Sequence, residues 1–402
     1  MSTLKVDAIR HNSATSDALV LSNDGSVAIG TCTATTINTT NLVNATQLSN
    51  RNKIINGDFT IHQRGGTIAS SNGNYTLDRW RTYRAGDSSG GFSVQQSLAS
   101  YPQTNIAGVI DNFKSSAFIT VTSAGSAAAN NNCKFQQRIE GSHVYDLAFG
   151  TVAAKKVTVS FYVKCSLTGN FGISLVNGGH NRSNVQLYTV NSASTWERKI
   201  VTFDGDTSGT WAFDNGTGLQ LMFDMGSGSS KHASSTGTWL SGEYHGTTSS
   251  VKLIHTNGAT WQVTGVQLEA GEVATPFEFR NQADELHRCQ RYFNMIGDGT
   301  NFGTNTALSD AFMWSSNEID FMYTFPVEMR TTPSLYQVTG SDYFQVQGGG
   351  HNTHIDGNFT QQYGCKRSTS QYAGSDSSRT QGYSCHITVK NSAARYGYQA
   401  EL

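Results

Sequence analysis

The stretch VTVSFYVKCSL, residues 157–167, decides the fold class because apolar and polar side chains alternate along it with a period of two. Val157 and Phe161 fall on one face of an extended chain, whereas Thr158 and Lys164 fall on the other. This pattern is typical of a β-strand with one buried face and one face in water. It predicts a half-exposed strand in an antiparallel sheet.

The same alternation recurs along the chain and predicts further strands. Asn-Gly and Asp-Gly pairs between the runs are typical hairpin turns, and Gly265 is placed where a bulge would restore the facing of a strand that changes phase. Because nothing supplies crossover helices, antiparallel sheets are expected. The predicted strands include residues 117–121, 171–175, 219–225, 261–268, 319–327 and 385–389.

One segment predicts a helix. Asn281 is a suitable N-cap, Asp284 and Glu285 fall in the favourable first turn, and an apolar stripe runs from Ala283 through Leu286. We expect a connecting helix over residues 281–296 and a second β region after it.

The composition excludes several classes of protein. The 402 residues contain 28 basic and 29 acidic side chains and a charged fraction of 14%, against roughly 25% in typical soluble proteins. Without a basic field, binding to nucleic acid is not expected. No apolar run reaches the length of a bilayer span, so no membrane insertion is expected. The six cysteines lack a C-x-x-C pair, which favours reduced thiols over zinc or disulfides.

The first fifty residues differ from the rest because they contain no aromatic residue. Such a segment cannot bury enough apolar surface by itself to offset its ordering entropy. It is either disordered or folded against other chains, as a stalk or docking arm in an oligomer. The recurring apolar residues favour the docking arm.

Five motifs follow one another after residue 50: RNKIINGDFTIHQRG (51–65), YTLDRW (75–80), VQLEAGEVATPFE (266–278), CQRYF (289–293) and FPVEMRTTP (325–333). Together they resemble the jelly-roll module of bacteriophage tail fibres and its flanking segments. The N-terminal STLKVDAI, residues 2–9, resembles the start of tail fibres of marine phages that infect cyanobacteria.

This resemblance implies an all-β homotrimer that is made in the host cytoplasm and becomes part of the virion as a tail fibre. Its expected domains are a docking arm and stalk (1–50), a jelly-roll β-sandwich (51–280), the connecting helix (281–296) and a C-terminal β-sandwich head (297–402). The arm would attach to a tail adaptor or nozzle protein, and the head would bind a host surface glycan or outer-membrane component. The predicted docking residues are Leu4, Val6, Ile9, Leu19 and Leu21.

Catalytic and metal motifs are weak, so we expect a binding protein with no cofactor, no metal and no catalytic residue. The run GDSSG, residues 86–90, resembles a nucleophilic-serine element, but the chain lacks the α/β context. Residues 204–215 open like a calcium loop and then place Asn215 where a bidentate Glu is needed. Dispersed carboxylates such as Asp224, Glu243 and Asp320 leave a polysaccharide-degrading tailspike as one alternative. A purely structural tail component is the other.

The head contains the residue types that carbohydrate recognition needs. Aromatic rings stack on the apolar face of a sugar, while amide and imidazole groups pair with its hydroxyls. Both types are interspersed in the long polar loop region from 348 to 384. The candidate receptor-binding residues are Tyr363, Tyr372, Tyr383, His351, His354, Asn352 and Gln361.

Overall fold

A computed structural model describes most of the chain after residue 49 and three short segments before it. Backbone contacts divide the chain into two units, Met1–Leu48 and Ser49–Leu402. The predicted domain boundaries at residues 50, 280 and 296 stay predictions. Only the backbone is described before residue 50 and at residues 351, 352 and 372. The described residues are 8–9, 19–21, 27–28, 50–70, 72–86, 90–98, 113–126, 128–348, 351–355, 357–374 and 380–402.

The first unit contains a small antiparallel sheet of three strands in sequential order. Three of the predicted docking residues, Ile9, Leu19 and Leu21, lie in these strands, whereas Leu4 and Val6 lie outside the described residues. Their docking role stays a prediction. The strands are β1 (Ala8–Ile9), β2 (Leu19–Leu21) and β3 (Val27–Ala28).

Two six-stranded antiparallel sheets then enclose one apolar core, as expected for a jelly-roll sandwich. Sheet A consists, in spatial order, of β14 (Trp239–Ser241), β11 (Arg182–Val190), β10 (Gly169–Asn177), β13 (Thr217–Asp224), β8 (Asn132–Glu140) and β5 (Trp80–Ala85). Sheet B consists of β12 (Glu197–Phe203), β9 (Val157–Cys165), β15 (Thr260–Ala270), β7 (Ser115–Ser123), β6 (Gly91–Leu98) and β4 (Thr67–Ala69).

Aromatic side chains from both sheets fill the space between them. Trp80 stacks on Phe135 within sheet A at 5.0 Å between ring centroids. Trp261 of sheet B reaches across to Phe223 of sheet A at 5.2 Å. All four side chains are fully buried, and their large apolar area stabilises the sandwich.

The expectation that β9 has one face in water is wrong. Thr158 and Tyr162 lie on its outward face and are nevertheless buried. The chain after β15 folds back over this face, where the Thr158 hydroxyl donates to the carbonyl of Gly271 at 2.8 Å. Phe113 packs on Tyr162 and on Phe277 of the returning segment, at 5.4 and 5.2 Å. Sequence alternation alone did not reveal this cover.

The predicted bulge at Gly265 is confirmed. The pairing of β15 with β9 shifts register between Thr264 and Gln267, and Gly265 has a φ of +61°. A Cβ atom there would lie 2.5 Å from the Phe113 ring, so both conformation and space require glycine.

The helix forms as predicted but is shorter. Helix α1 is Gln282–Gln290, and the Asn281 side chain accepts a hydrogen bond from the Ala283 amide at 2.9 Å. The apolar stripe was wrong in part, because Ala283 is exposed while Glu285 is buried and pairs with Arg280 at 3.2 Å. Among the described residues, no helix is long and apolar enough to cross a membrane.

The remaining strands form the head around a second apolar core. The predicted all-β class with a single short α-helix is thereby confirmed for the described residues. A three-stranded sheet contains β16 (Phe293–Asp298), β25 (Arg395–Gln399) and β19 (Ser334–Val338). Sheet C has seven strands: β21 (His351–Ile355), β20 (Phe344–Gly348), β24 (Ser384–Val389), β17 (Ala307–Met313), β18 (Glu318–Thr324), β23 (Ser368–Gly374) and β22 (Thr360–Gly364).

A buried ion cluster joins the head to the sandwich. The Glu401 carboxylate pairs with Arg64 at 3.2 Å and with Arg79, and all three side chains are less than a tenth exposed. The Arg79 guanidinium also lies 3.5 Å above the Tyr292 ring. Arg79 therefore pairs with the distant Glu401 rather than with its sequence neighbour Asp78. Arg64, Arg79 and Tyr292 belong to three of the motifs that resemble phage tail fibres, so these motifs contribute to the contact between sandwich and head.

Candidate functional site

The outward face of sheet C exposes large aromatic side chains. Along β17 and just beyond it, Ala311 and Met313 point into the head core, while Phe312 and Trp314 are 44% and 57% exposed. Their ring centroids are 6.4 Å apart in an edge-on arrangement. Apolar rings left in water beside one another are a typical feature of binding surfaces.

A groove of about 460 Å³ runs beside Phe312, between β17, β18 and β23. Its walls are mainly apolar, and two carboxylates and one hydroxyl are placed along them. Ligand sites commonly combine apolar walls with a few convergent polar groups in this way. The groove is lined by Asp310, Ala311, Phe312, Asp320, Phe321, Met322 and Ser370.

Two polar groups of the groove lack hydrogen-bond partners. The Oδ1 atom of Asp320 and the hydroxyl of Ser370 are both buried and make no hydrogen bond within the protein. Burial raises the pKa of the Asp320 carboxyl above its usual value. An unpaired buried acceptor costs about 1–3 kcal/mol, so a donor supplied by a ligand or by solvent would be favourable here.

Strand register explains why these groups meet. Phe312 is paired with Asp320 across β17 and β18, and Asp320 is paired in turn with Tyr372 on β23. Met322 of β18 is paired with Ser370 of β23, two residues further along each strand. Residues paired in this way lie on the same face of an antiparallel sheet.

The receptor-binding residues predicted from sequence are not gathered into one patch. His351, Asn352 and His354 lie on the edge strand β21, whereas Gln361 and Tyr363 lie on β22 at the opposite edge of sheet C. Two of them are paired directly with a residue of the groove: Tyr372 with Asp320, and Tyr363 with Ser370.

The environments of these side chains differ. Tyr363 and Tyr383 are 72% and 54% exposed, as a binding role requires. The His354 ring instead contacts the carboxylate of Asp342. The role of all seven predicted residues stays a prediction, and the side chains of His351, Asn352 and Tyr372 lie outside the described part of the structure.

Sequence reasoning missed Phe312, Trp314, Asp310 and Ser370. In an extended chain the run DAFMW at 310–314 places Phe312 and Trp314 on one face and Met313 on the other, so both faces contain large apolar side chains. Neither face could therefore be assigned to the core or to solvent. The polar composition of residues 348–384 predicted the binding residues in that region instead.

The remaining catalytic and metal motifs find no support in the described residues. In the calcium-like loop, both Asp206 oxygens accept hydrogen bonds from Arg182, at 2.6 and 2.8 Å, so this carboxylate is already occupied. Residues 87–89 of the serine motif lie outside the described ranges. No group of three or more metal-binding side chains occurs in the described part of the chain.

No family model matches the chain, and no curated protein is similar to it. Among solved structures, a CBM4 carbohydrate-binding module is 18% identical, covering 54% of this chain and 98% of its own, with a TM-score of 0.28. The enzymatically active domain of tailspike protein 4 from bacteriophage CBA120 is 9% identical, covering 55% of this chain and 22% of its own, with a TM-score of 0.28. The module TmCBM61, solved with β-1,4-galactotriose, is 10% identical, covering 55% and 99%, with a TM-score of 0.27. Similarity at this level says nothing about what this chain binds.

Proposed function

We propose that the protein is a phage tail fibre whose head binds a saccharide on the host surface through the groove of sheet C. In this proposal the N-terminal arm attaches to an adaptor or nozzle protein of the tail, and three copies assemble into one fibre of the virion. The ordered motifs that resemble phage fibres support the assignment to a virion, and the groove supports the ligand class.

The observation that carries the ligand class is that a groove with two unpartnered polar atoms is lined by one exposed ring, Phe312, and has a second, Trp314, beside it. Phe312 and Trp314 offer apolar faces on which a pyranose ring can stack. Asp320 Oδ1 would accept a hydrogen bond from a sugar hydroxyl, and the Ser370 hydroxyl can donate or accept one. These are the two kinds of contact that saccharide recognition combines.

Trimerisation would make such a site effective even if one groove binds weakly. Linked copies convert later binding events into intramolecular ones and raise avidity by about 10²–10⁴ without new contacts. The low fraction of charged residues, 14%, is consistent with a surface that binds neutral ligands rich in hydroxyl groups.

Binding of the full chain to immobilised lipopolysaccharide and capsule from a panel of cyanobacteria tests the proposal. We expect at least one preparation to bind and to compete with phage adsorption, and the double variant Phe312→Ala, Trp314→Ala to lose both effects. Tyr145→Ala removes an aromatic side chain that is 66% exposed on the sandwich and is the matched control. Equal binding by the double variant and the native chain would contradict the proposal.

Polysaccharide hydrolysis is the second candidate function, and the raised pKa of Asp320 favours it. A general acid needs a carboxyl group with a raised pKa and a second carboxylate nearby, and Asp310 lines the same groove. Sustained release of reducing ends from a bound polysaccharide, lost in Asp320→Asn, would establish the enzyme. Binding without release favours the receptor-binding fibre.

A further inference from the structure

A second cluster of polar side chains lies on the outward side of sheet A, far along the chain from the head groove. Strand β8 alternates there, so that Phe135 enters the sandwich core while Lys134 and Gln136 point away from it. Across the neighbouring strand β5, Tyr83 is paired with Lys134 and Arg81 is paired with Gln136.

Gln136 is the feature that needs an explanation. Its side chain is fully buried, yet both its amide nitrogen and its amide oxygen lack a hydrogen-bond partner. Buried amides in native proteins are nearly always paired, because leaving one unpaired is costly. A donor and an acceptor that are both unsatisfied on the outward face match a ligand that carries hydroxyl groups.

The charge around Gln136 is predominantly positive. Glu243 is the carboxylate at the centre, and it pairs with both Lys134 and Lys231, the latter at 2.7 Å. Two guanidinium groups lie nearby and pair with no carboxylate of the described residues. Arg81 donates through Nε to the Gly73 carbonyl and has its Nη1 buried without a partner, and Arg138 donates through Nε to Gln220 at 3.2 Å. Burial lowers the pKa of Arg138, and the nearby positive charge of Arg81 lowers it further.

The other groups facing this cluster do not neutralise it. Asp224 lies beside Lys134 in register but has Lys252 at 4.0 Å as its own cation. His180 contacts Glu243 at 3.0 Å and His245 lies 3.8 Å from it, so both share a carboxylate that the lysines already use.

We propose that this face binds an acidic saccharide, with the sugar carboxylate held by Arg81 and Arg138 and its hydroxyls paired with the Gln136 amide. Guanidinium groups are well suited to carboxylates because they offer parallel N–H donors. The proposed ligand is a uronic-acid unit, either within a polysaccharide or as a free sugar. The site is independent of the head groove, which offers carboxylates rather than cations.

Calorimetric titration of the full chain with trigalacturonate, free galacturonate and a neutral trigalactoside tests this proposal. We expect trigalacturonate to bind at least tenfold more tightly than the neutral trimer and more weakly as salt is raised. Binding by the trimer but not by the monosaccharide would identify a polysaccharide as the source, and equal molar affinity would identify the free sugar. Equal affinity for the acidic and neutral trimers, or no binding of either acidic probe, would overturn the proposal.

Two variants locate the site. Arg138→Gln should weaken trigalacturonate binding at least tenfold, whereas Lys155→Gln, at an exposed lysine outside the cluster, should leave it unchanged. Gln136→Leu should abolish binding and raise the Tm, because it removes an amide that the free protein leaves unpaired. A lower Tm for Gln136→Leu, or unchanged binding in Arg138→Gln, would contradict the assignment.

The head groove provides the last control. The double variant Phe312→Ala, Trp314→Ala should bind trigalacturonate as the native chain does. If that variant loses the acidic trimer, the ligand sits in the head and the site on sheet A is refuted. If it loses host polysaccharide alone, both sites are supported separately.

Discussion

The junction between sandwich and head differs sharply from the outward face of sheet C. At the junction, charged groups are buried and paired, as Glu401 is with Arg64 and Arg79. On sheet C, apolar rings are exposed and the buried Asp320 and Ser370 each have an unpartnered oxygen. The motif residues therefore maintain the fold of the chain, while residues outside those motifs carry the recognition that we propose.

The largest expected effect is at the junction. Glu401→Ala leaves two buried guanidinium groups without their carboxylate, which should lower the free energy of unfolding by about 3–5 kcal/mol. Denaturant unfolding of the full chain measures it. Glu272→Gln breaks an exposed pair with Lys156 and should leave the midpoint unchanged. Comparable losses in both variants would contradict the view that burial makes this cluster important.

Acid should destabilise the junction between sandwich and head through protonation of His62 in the unfolded chain. Burial and the charge of Arg64 lower the pKa of His62 to about 4, against an ordinary value of 6.5. Between these values the unfolded chain binds the extra proton, so stability is full above pH 6.5 and falls as the pH drops towards 4.

We expect the loss attributable to His62 to reach about 2–3 kcal/mol at pH 4. Unfolding measured from pH 4 to 7 should therefore be less pH-dependent in His62→Gln. The exposed His287→Gln variant should follow the native curve. A native-like slope in His62→Gln would show that other groups cause the acid sensitivity.

A smaller effect is expected at the bulge of β15. Gly265→Ala places a methyl group 2.5 Å from the Phe113 ring at a φ of +61° and should destabilise the chain by about 2 kcal/mol. Gly271→Ala also has a positive φ but has nothing within 4 Å, so strain alone, about 1 kcal/mol, should remain. Equal losses of stability in the two variants would mean that the close approach to Phe113 adds nothing to the cost of Gly265→Ala. Neither variant should alter saccharide binding.

The smallest effect on stability, and the clearest on binding, is expected on sheet C. Trp314→Ala should change the free energy of unfolding by less than about 0.5 kcal/mol, because the ring is mostly in water. The same variant should weaken saccharide binding by about tenfold, the typical contribution of an aromatic contact. Calorimetry and denaturant unfolding on one sample separate the two readouts. A large loss of stability would assign Trp314 to the core instead.

The sequence was sufficient to predict the class of fold, the helix cap at Asn281 and the bulge at Gly265, because each depends on local pattern or backbone conformation. It was insufficient where distant segments meet. The cover over Thr158 and the partner of Arg79 both come from residues more than a hundred positions away. The groove was missed because Phe312 and Met313 are both apolar, so only the register with Asp320 shows which face is exposed.

Hydrogen–deuterium exchange of the full chain, with and without a neutral host polysaccharide that it binds, tests whether the groove of sheet C is the binding site. We expect added protection to be confined to peptides from β17, β18 and β23, which line the groove. Protection found only in other strands, with these three unchanged, would contradict this expectation.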